Sequence, residues 1–186
     1  MVQFVNTVMY GYVMTRRLSR QDWIEYGLTI LSEKGFNALK AEPLARGLKV
    51  SRGSFYWHFK HLRAFQEAVL EHWKTTTTER VIDQVASDAE ALKALTTQAL
   101  TSNPTLERSI RAWSSEVAWV AQVVDSVDRR RIQFIEQLLE EQRVPNETIP
   151  ARAKVLYWAY LGRVLVNSSE LDDRDVAANV KMKLKP

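Results

Sequence analysis

The chain has 186 residues, 46% of them hydrophobic and 26% charged, with no Cys and a formal net charge of +4. That length allows one large or two small domains with a real core, while the lack of Cys excludes disulfides and Cys-based metal sites and fits a cytoplasmic, reducing compartment. The charge is uneven: Thr15 to Thr75 holds eleven Lys and Arg against six Asp and Glu, Thr76 to Pro186 fifteen against sixteen, so the excess that attracts a polyanion lies near the N-terminus.

Met1 to Met14 is uncharged and has neither a basic n-region nor a cleavage pattern, so it is neither a signal peptide nor a span. It is expected to be an upstream mis-start or disordered leader, with Met14 the natural beginning. Arg16, Arg17 and Arg20 would then form a basic arm able to reach a minor groove or phosphate, or simply a solvated terminus. Ser19 to Lys34 reads as a first helix, capped by Ser19, stopped by Gly35, and turning Trp23, Ile24, Gly27, Leu28 and Leu31 inward. Lys40 to Leu48 reads as a short second helix with Pro43 in its first turn and Leu44, Ala45 and Leu48 inward. A third begins at Ser51. Phe55, Phe59 and Leu62 recur at i, i+4 and i+7 for the core, which leaves Arg52, Ser54, Tyr56, Trp57 and His58 outside, with Lys60 beyond them. Three helices joined by three- to four-residue turns make a helix-turn-helix bundle.

From Ser19 to about Trp73 the chain resembles the TetR family of transcriptional regulators, most specifically at Leu44-Ala45, Val50-Ser51 and Gly53-Ser54-Phe55-Tyr56-Trp57-His58-Phe59. The resemblance implies a DNA-reading head, with Lys40, Ser51, Arg52, Gly53, Ser54, Tyr56, Trp57, His58, Lys60 and Arg63 as its contacts. Two positions depart from the family's pattern. Lys49 replaces the usual Gly in the turn before the third helix, and is expected at positive φ. Leu62 replaces a phosphate-contacting Lys, leaving that task to Lys60 or Arg63.

The rest reads as helix throughout, with no strand-like alternation, repeat or low-complexity tract. A long helix runs from His61 to about Ser87, its first half apolar on one face and its second opening with the poor helix formers Thr75 to Thr78, where it should link two domains. Further helices are expected over Ala89 to Thr101, Pro104 to about Val124 with a break near Trp113-Ser114-Ser115, Asp128 to Gln142, Thr148 to Ser168, and Asp172 onward. The stretch from Ala151 to Ser168 is apolar nearly all round. Leu156, Tyr157, Tyr160, Leu161, Val164 and Leu165 form one stripe and Val155, Ala159, Gly162 and Val166 another, so burial on both sides is expected. A two-fold partner is the economical cover, with Tyr157, Ala159, Gly162 and Val166 at the interface; a central core helix of a monomer is the other reading. In the family this penultimate helix and the last one form a four-helix dimer bundle.

The expected fold class is therefore all-α, with a leader over 1–14, a helix-turn-helix domain over 15–64 and a helical effector-binding and dimerisation domain over 65–186. Trp113, Trp119, Phe134, Tyr157 and Tyr160 are the candidate lining of an apolar ligand cavity, although aromatic residues at helical spacing also serve plain cores. Glu116 would suit a cationic ligand, but reads equally as an exposed acid. The run Arg129-Arg130-Arg131 reads as a solvated helix face. His58, His61 and His72 lack the partners for a metal site, and no nucleophile elbow, glycine-rich phosphate loop or triad appears. The expectation is a non-enzymatic, ligand-responsive repressor without metal or cofactor, binding a palindromic operator in double-stranded DNA as a homodimer, away from membranes. It is released by a small apolar or aromatic effector that biases the spacing of two heads set one turn of DNA apart. An interaction protein of the same fold with weakened DNA binding, or an all-helical small-molecule carrier, are the alternatives.

Overall fold

The computed structural model describes residues 17–88 and 90–166. The leader over 1–14, Arg16 of the basic arm and the helix expected from Asp172 lie outside them. Among the described residues there are nine α-helices and no strand.

The first helix, α1 (Arg20–Lys34), starts on a reciprocal cap: Ser19 Oγ accepts from the Asp22 backbone N–H, and the Asp22 carboxylate accepts from the Ser19 N–H. Two orphan donors are thereby satisfied. Gly35 ends the helix at φ 74°, a region that favours glycine. Helices α2 (Ala41–Gly47) and α3 (Arg52–His58) are short, and Lys49 between them stands at φ 56°, as expected of the residue replacing Gly. Phe55 and Phe59 point inward and meet Phe65 of α4 (Leu62–Lys74) in edge-on aromatic contacts at centroid distances of 5.3 and 5.0 Å. Gly27 allows α1 and α4 to touch; a Cβ there would lie 2.6 Å from the Phe65 ring.

The long helix does not run on unchanged. After α4, residues Thr75–Glu79 widen into a π-helical stretch before α5 (Arg80–Val85). The four threonines explain it. Thr76 and Thr77 donate their hydroxyls back to the carbonyls of His72 and Trp73 at 2.7 and 2.9 Å, competing with the regular ladder, and β-branched side chains crowd the turn.

Helix α6 (Ala91–Thr101) is followed by α7 (Thr105–Glu116) and α8 (Ala118–Glu141). The expected break comes at Val117, where the backbone turns extended after Ser114 and Ser115 have donated to carbonyls one turn back. The second expected break, between Val124 and Asp128, is absent: α8 is continuous because Val120, Val124, Val127, Phe134 and Leu138 form one buried stripe. The last described helix, α9 (Ile149–Leu165), packs on α8 and α7.

Burial divides the apolar residues into two clusters. One joins the three-helix head to Ile110 and Trp113 of α7 and to Val120, Val124 and Val127 of α8. The other gathers Ile82, Leu92, Phe134, Leu139, Ile149 and Tyr157 at the far end. No helix among the described residues is long and apolar enough to cross a membrane.

Candidate nucleic-acid interface and internal cavity

Helix α3 buries Phe55 and leaves Arg52, Gly53, Tyr56 and Trp57 exposed, with Ser54 and His58 half-buried beside them. Ser51, Lys60 and Lys40 are exposed too. Trp57 is 76% exposed, so its ring serves no core, and the guanidinium of Arg17 lies 4.8 Å from its centroid. Arg52 donates to the Tyr56 hydroxyl at 3.1 Å, one turn along α3, and that hydrogen bond raises its pKa above the ordinary arginine value. The donor best suited to a guanine edge is thus held in position by its neighbour.

Arg63, also expected on this surface, is exposed but turned toward α8. It lies 3.5 Å from the centroid of Trp119 on α8 and donates to Glu67 at 2.8 Å, so its charge is directed toward the body. Lys60, the other cation expected to replace the one missing at Leu62, is exposed just beyond α3. Near the same joint Phe36 stacks on Trp113 at 5.9 Å, with 4° between the planes, and Trp113 meets Trp119 edge-on.

A cavity of about 520 Å³ opens between the π-helical stretch, α6, α8 and α9, within the size range of small-molecule sites. Trp73, Ile82, Leu92, Leu95, Phe134 and Tyr160 supply its apolar wall. Of the five aromatics expected there, Phe134, Tyr157 and Tyr160 line it. Trp113 and Trp119 do not, because both are committed to the joint between head and body.

A buried ionic cluster borders this cavity. Glu107 accepts from Arg111 Nη2 at 2.9 Å and from Arg131 Nη1 at 3.1 Å, while Trp73 Nε1 donates to its other oxygen at 3.3 Å. Arg111 reaches Asp128 at 2.7 Å, and Tyr157 donates to the same Asp128 oxygen at 2.6 Å. Arg131 also donates to the hydroxyls of Thr78 and Thr77 at 2.9 and 3.1 Å, tying α8 to the π-helical stretch. Burial works against both arginine charges, yet their carboxylate partners more than compensate and hold both guanidinium pKa values above normal. Burial likewise disfavours charge on Asp128, but hydrogen bonds from Arg111 and Tyr157 keep its carboxyl below the usual range. Burial pushes the Tyr157 and Tyr160 hydroxyls up, so both are protonated at neutral pH.

The Arg129–Arg131 run is therefore not a uniform solvated face. Arg129 is exposed and Arg130 pairs with Glu79, but the Arg131 side chain is only 12% exposed. Glu116 is exposed at the end of α7; the acid that matters is Glu107, two and a half turns earlier. No group of three or more His, Cys, Asp or Glu among the described residues is arranged to hold a metal ion.

On α9, Tyr157 is buried inside the protomer and cannot serve a dimer face, because its hydroxyl is committed to Asp128 and Arg111. Ala159, Gly162 and Val166 are exposed, in a stripe with Val155, Trp158 and Leu165, and they also edge the cavity mouth. A Cβ on Gly162 would meet nothing within 4 Å.

Comparison with known proteins bears on both parts. Residues 24–69 match the family model of bacterial regulatory proteins, tetR family. Transcriptional regulator AcuR of Cereibacter sphaeroides is 32% identical over 71 residues, 38% of this chain and 32% of that protein. Tetracycline repressor protein class G of Vibrio anguillarum is 38% identical over 55 residues, 30% of this chain and 26% of that protein. The matched segments thus span about a third or less of these curated relatives. In fold the likeness is longer: reduced NemR of Escherichia coli superposes with TM-score 0.74 at 23% identity, covering 88% of this chain and 96% of that one. A TetR transcriptional regulator from Legionella pneumophila gives 0.72 at 15% identity over 92% and 100% of the two chains. The helix-turn-helix head thus matches the tetR family of bacterial regulatory proteins over residues 24–69, and behind that head the chain carries an all-helical body with the fold of these solved structures.

Proposed function

We propose that this protein is a cytoplasmic, ligand-responsive repressor that binds a palindromic operator as a homodimer and lets go when a small apolar or aromatic effector enters the cavity. The observation that carries the reading is the exposed surface of α3, where Arg52, Tyr56 and Trp57 project from a helix that buries only Phe55. Lys40, Ser51, Gly53, Ser54, His58 and Lys60 extend that surface toward the phosphates. Dimerisation is supported by the exposed stripe on α9, where Trp158 is 62% exposed and Val155, Leu165 and Val166 lie alongside. A second copy of this chain would cover it and set two α3 helices about 34 to 36 Å apart.

The cavity and the head are mechanically connected. Arg131 holds the π-helical stretch through Thr77 and Thr78, Trp73 of α4 donates to Glu107, and α4 runs directly into the head core through Phe65. An effector that prefers one placement of α4 shifts the spacing of the heads by population shift. Capture of genomic fragments, followed by gel shift on the captured sequence with rising salt, tests the reading. A palindromic site bound well above random DNA, with a steep salt dependence, is the expected result. Equal binding to all fragments would refute it and favour an interaction protein with weakened DNA affinity, consistent with Lys49 in the left-handed turn.

A further inference from the structure

If the cavity is the effector site, as proposed above, the charges at its inner end restrict what it can accept. Of these, Glu107 and Arg131 line the cavity, and behind them Arg111 and Asp128 complete a cluster of two carboxylates against two guanidinium groups, in which each carboxylate has a partner at 3.1 Å or closer. Their side chains are between 7 and 22% exposed, so solvent screens them little. The other charged residue on the wall, Arg163, stands at the rim and donates to the carbonyls of Ala99 and Ser102. Those carbonyls form the C-terminal end of α6, where the helix dipole presents roughly half a negative charge. Tyr157 and Tyr160 are neutral. The inner end is therefore balanced, and its salt bridges are already made.

An acid or amine entering there would either leave its own charge unpaired beside Trp73 and Phe134 or draw a partner out of the cluster, stranding a buried ion. An uncharged group needs neither. The Tyr160 hydroxyl, beside an Arg131 guanidinium 5.9 Å from its ring centroid, offers a neutral hydrogen-bonding handle. We infer that the cavity selects an uncharged amphiphile, with an apolar body along Trp73, Ile82, Leu95 and Phe134 and one hydroxyl or carbonyl at the Tyr160 end, and that the balanced Glu107–Arg131 pair excludes acids and amines.

Titration of the full-length protein with decan-1-ol, decanoate and decylammonium at neutral pH, without DNA, compares three heads on one tail. Decanol is expected to bind at least about tenfold more tightly than either ion. Comparable affinities, tighter binding of an ion, or no decanol binding up to its solubility would overturn the inference. Glu107→Gln leaves one guanidinium in surplus and should invert the order, with decanoate overtaking decanol; an unchanged order removes the pair as the filter. Should that variant fold poorly, Tyr160→Phe, which keeps every charge, should weaken decanol several-fold without helping either ion, and Leu95→Trp should abolish decanol binding by filling the channel. Decanol affinity unaltered in both would refute the site. Decanol that binds with this preference yet leaves operator binding untouched supports the filter and refutes the effector reading instead.

Discussion

Replacing Arg131 by Met keeps most of the side-chain volume and removes one charge from the balanced cluster. Four hydrogen bonds go with it, two to Glu107 and one each to Thr77 and Thr78. Breaking a buried pair by deleting one member costs about 3–5 kcal/mol. Here the lower figure applies, because Glu107 keeps Arg111 and the Trp73 indole. For a chain of this size roughly 3 kcal/mol corresponds to a fall in Tm of about 6–12 °C. Urea unfolding at one fixed protomer concentration measures it without confusion from mass action. The double variant Glu107→Gln with Arg131→Met should recover at least about 1 kcal/mol relative to the sum of the single changes, since it removes both charges and leaves Arg111 with Asp128. An Arg131→Met protein within about 0.5 kcal/mol of the parent would mean that solvent screens the arginine and that the cluster is not a buried one.

Three other outcomes follow from the same geometry. Asp128 has a folded pKa below its unfolded value near 3.9, so its contribution to stability is present above about pH 4 and lost as pH falls through the folded value; Asp128→Asn should flatten the acid limb of urea midpoint against pH, and parallel limbs would exclude the effect. Arg52→Ala should lower operator affinity on the order of tenfold to a hundredfold while sparing random DNA; Tyr56→Phe should give part of the same loss and add little in the double variant, whereas additive losses in gel shifts would show that Tyr56 does not position Arg52. Trp158→Glu places a charge on the exposed stripe of α9 without disturbing the protomer's core; sedimentation should find a folded monomer with only weak, salt-sensitive DNA binding, and a dimer would put the interface elsewhere.

The head was legible because its signals are local. Ser19 at the cap, Gly35 at the stop, and Phe55 and Phe59 one turn apart each specify geometry within four residues, and even the left-handed turn at Lys49 follows from the residue it replaces. The body was less legible, since its boundaries depend on packing. Val117 breaks a helix with neither Gly nor Pro beside it, two residues beyond the serines near which the break was expected, whereas Asp125 to Asp128 looks like a break and is none, because the stripe from Val120 to Leu138 continues across it. The ionic cluster was missed for a related reason. Arg131 follows Val127 by four residues and precedes Phe134 by three, so it occupies a core position on α8, but it stands third in a run of arginines that reads as surface. Glu107 sits likewise three residues before Ile110. A lone charge in register with an apolar stripe was the signal available. Trp113 and Trp119 were placed in the cavity because composition says that aromatics will be buried, not against what.

The core that joins the head to α7 and α8 also limits how such a protein can be recombined. Swapping heads between regulators by cutting near residue 64 treats the two parts as interchangeable modules. In this chain the cut would strip Trp113 of the Phe36 ring it stacks on, free Arg63 from Trp119, and open Ile110 and Val120 to whatever the new head presents. A graft that keeps function must carry the facing residues of α7 and the first turns of α8 with it, so the transferable unit is discontinuous in sequence.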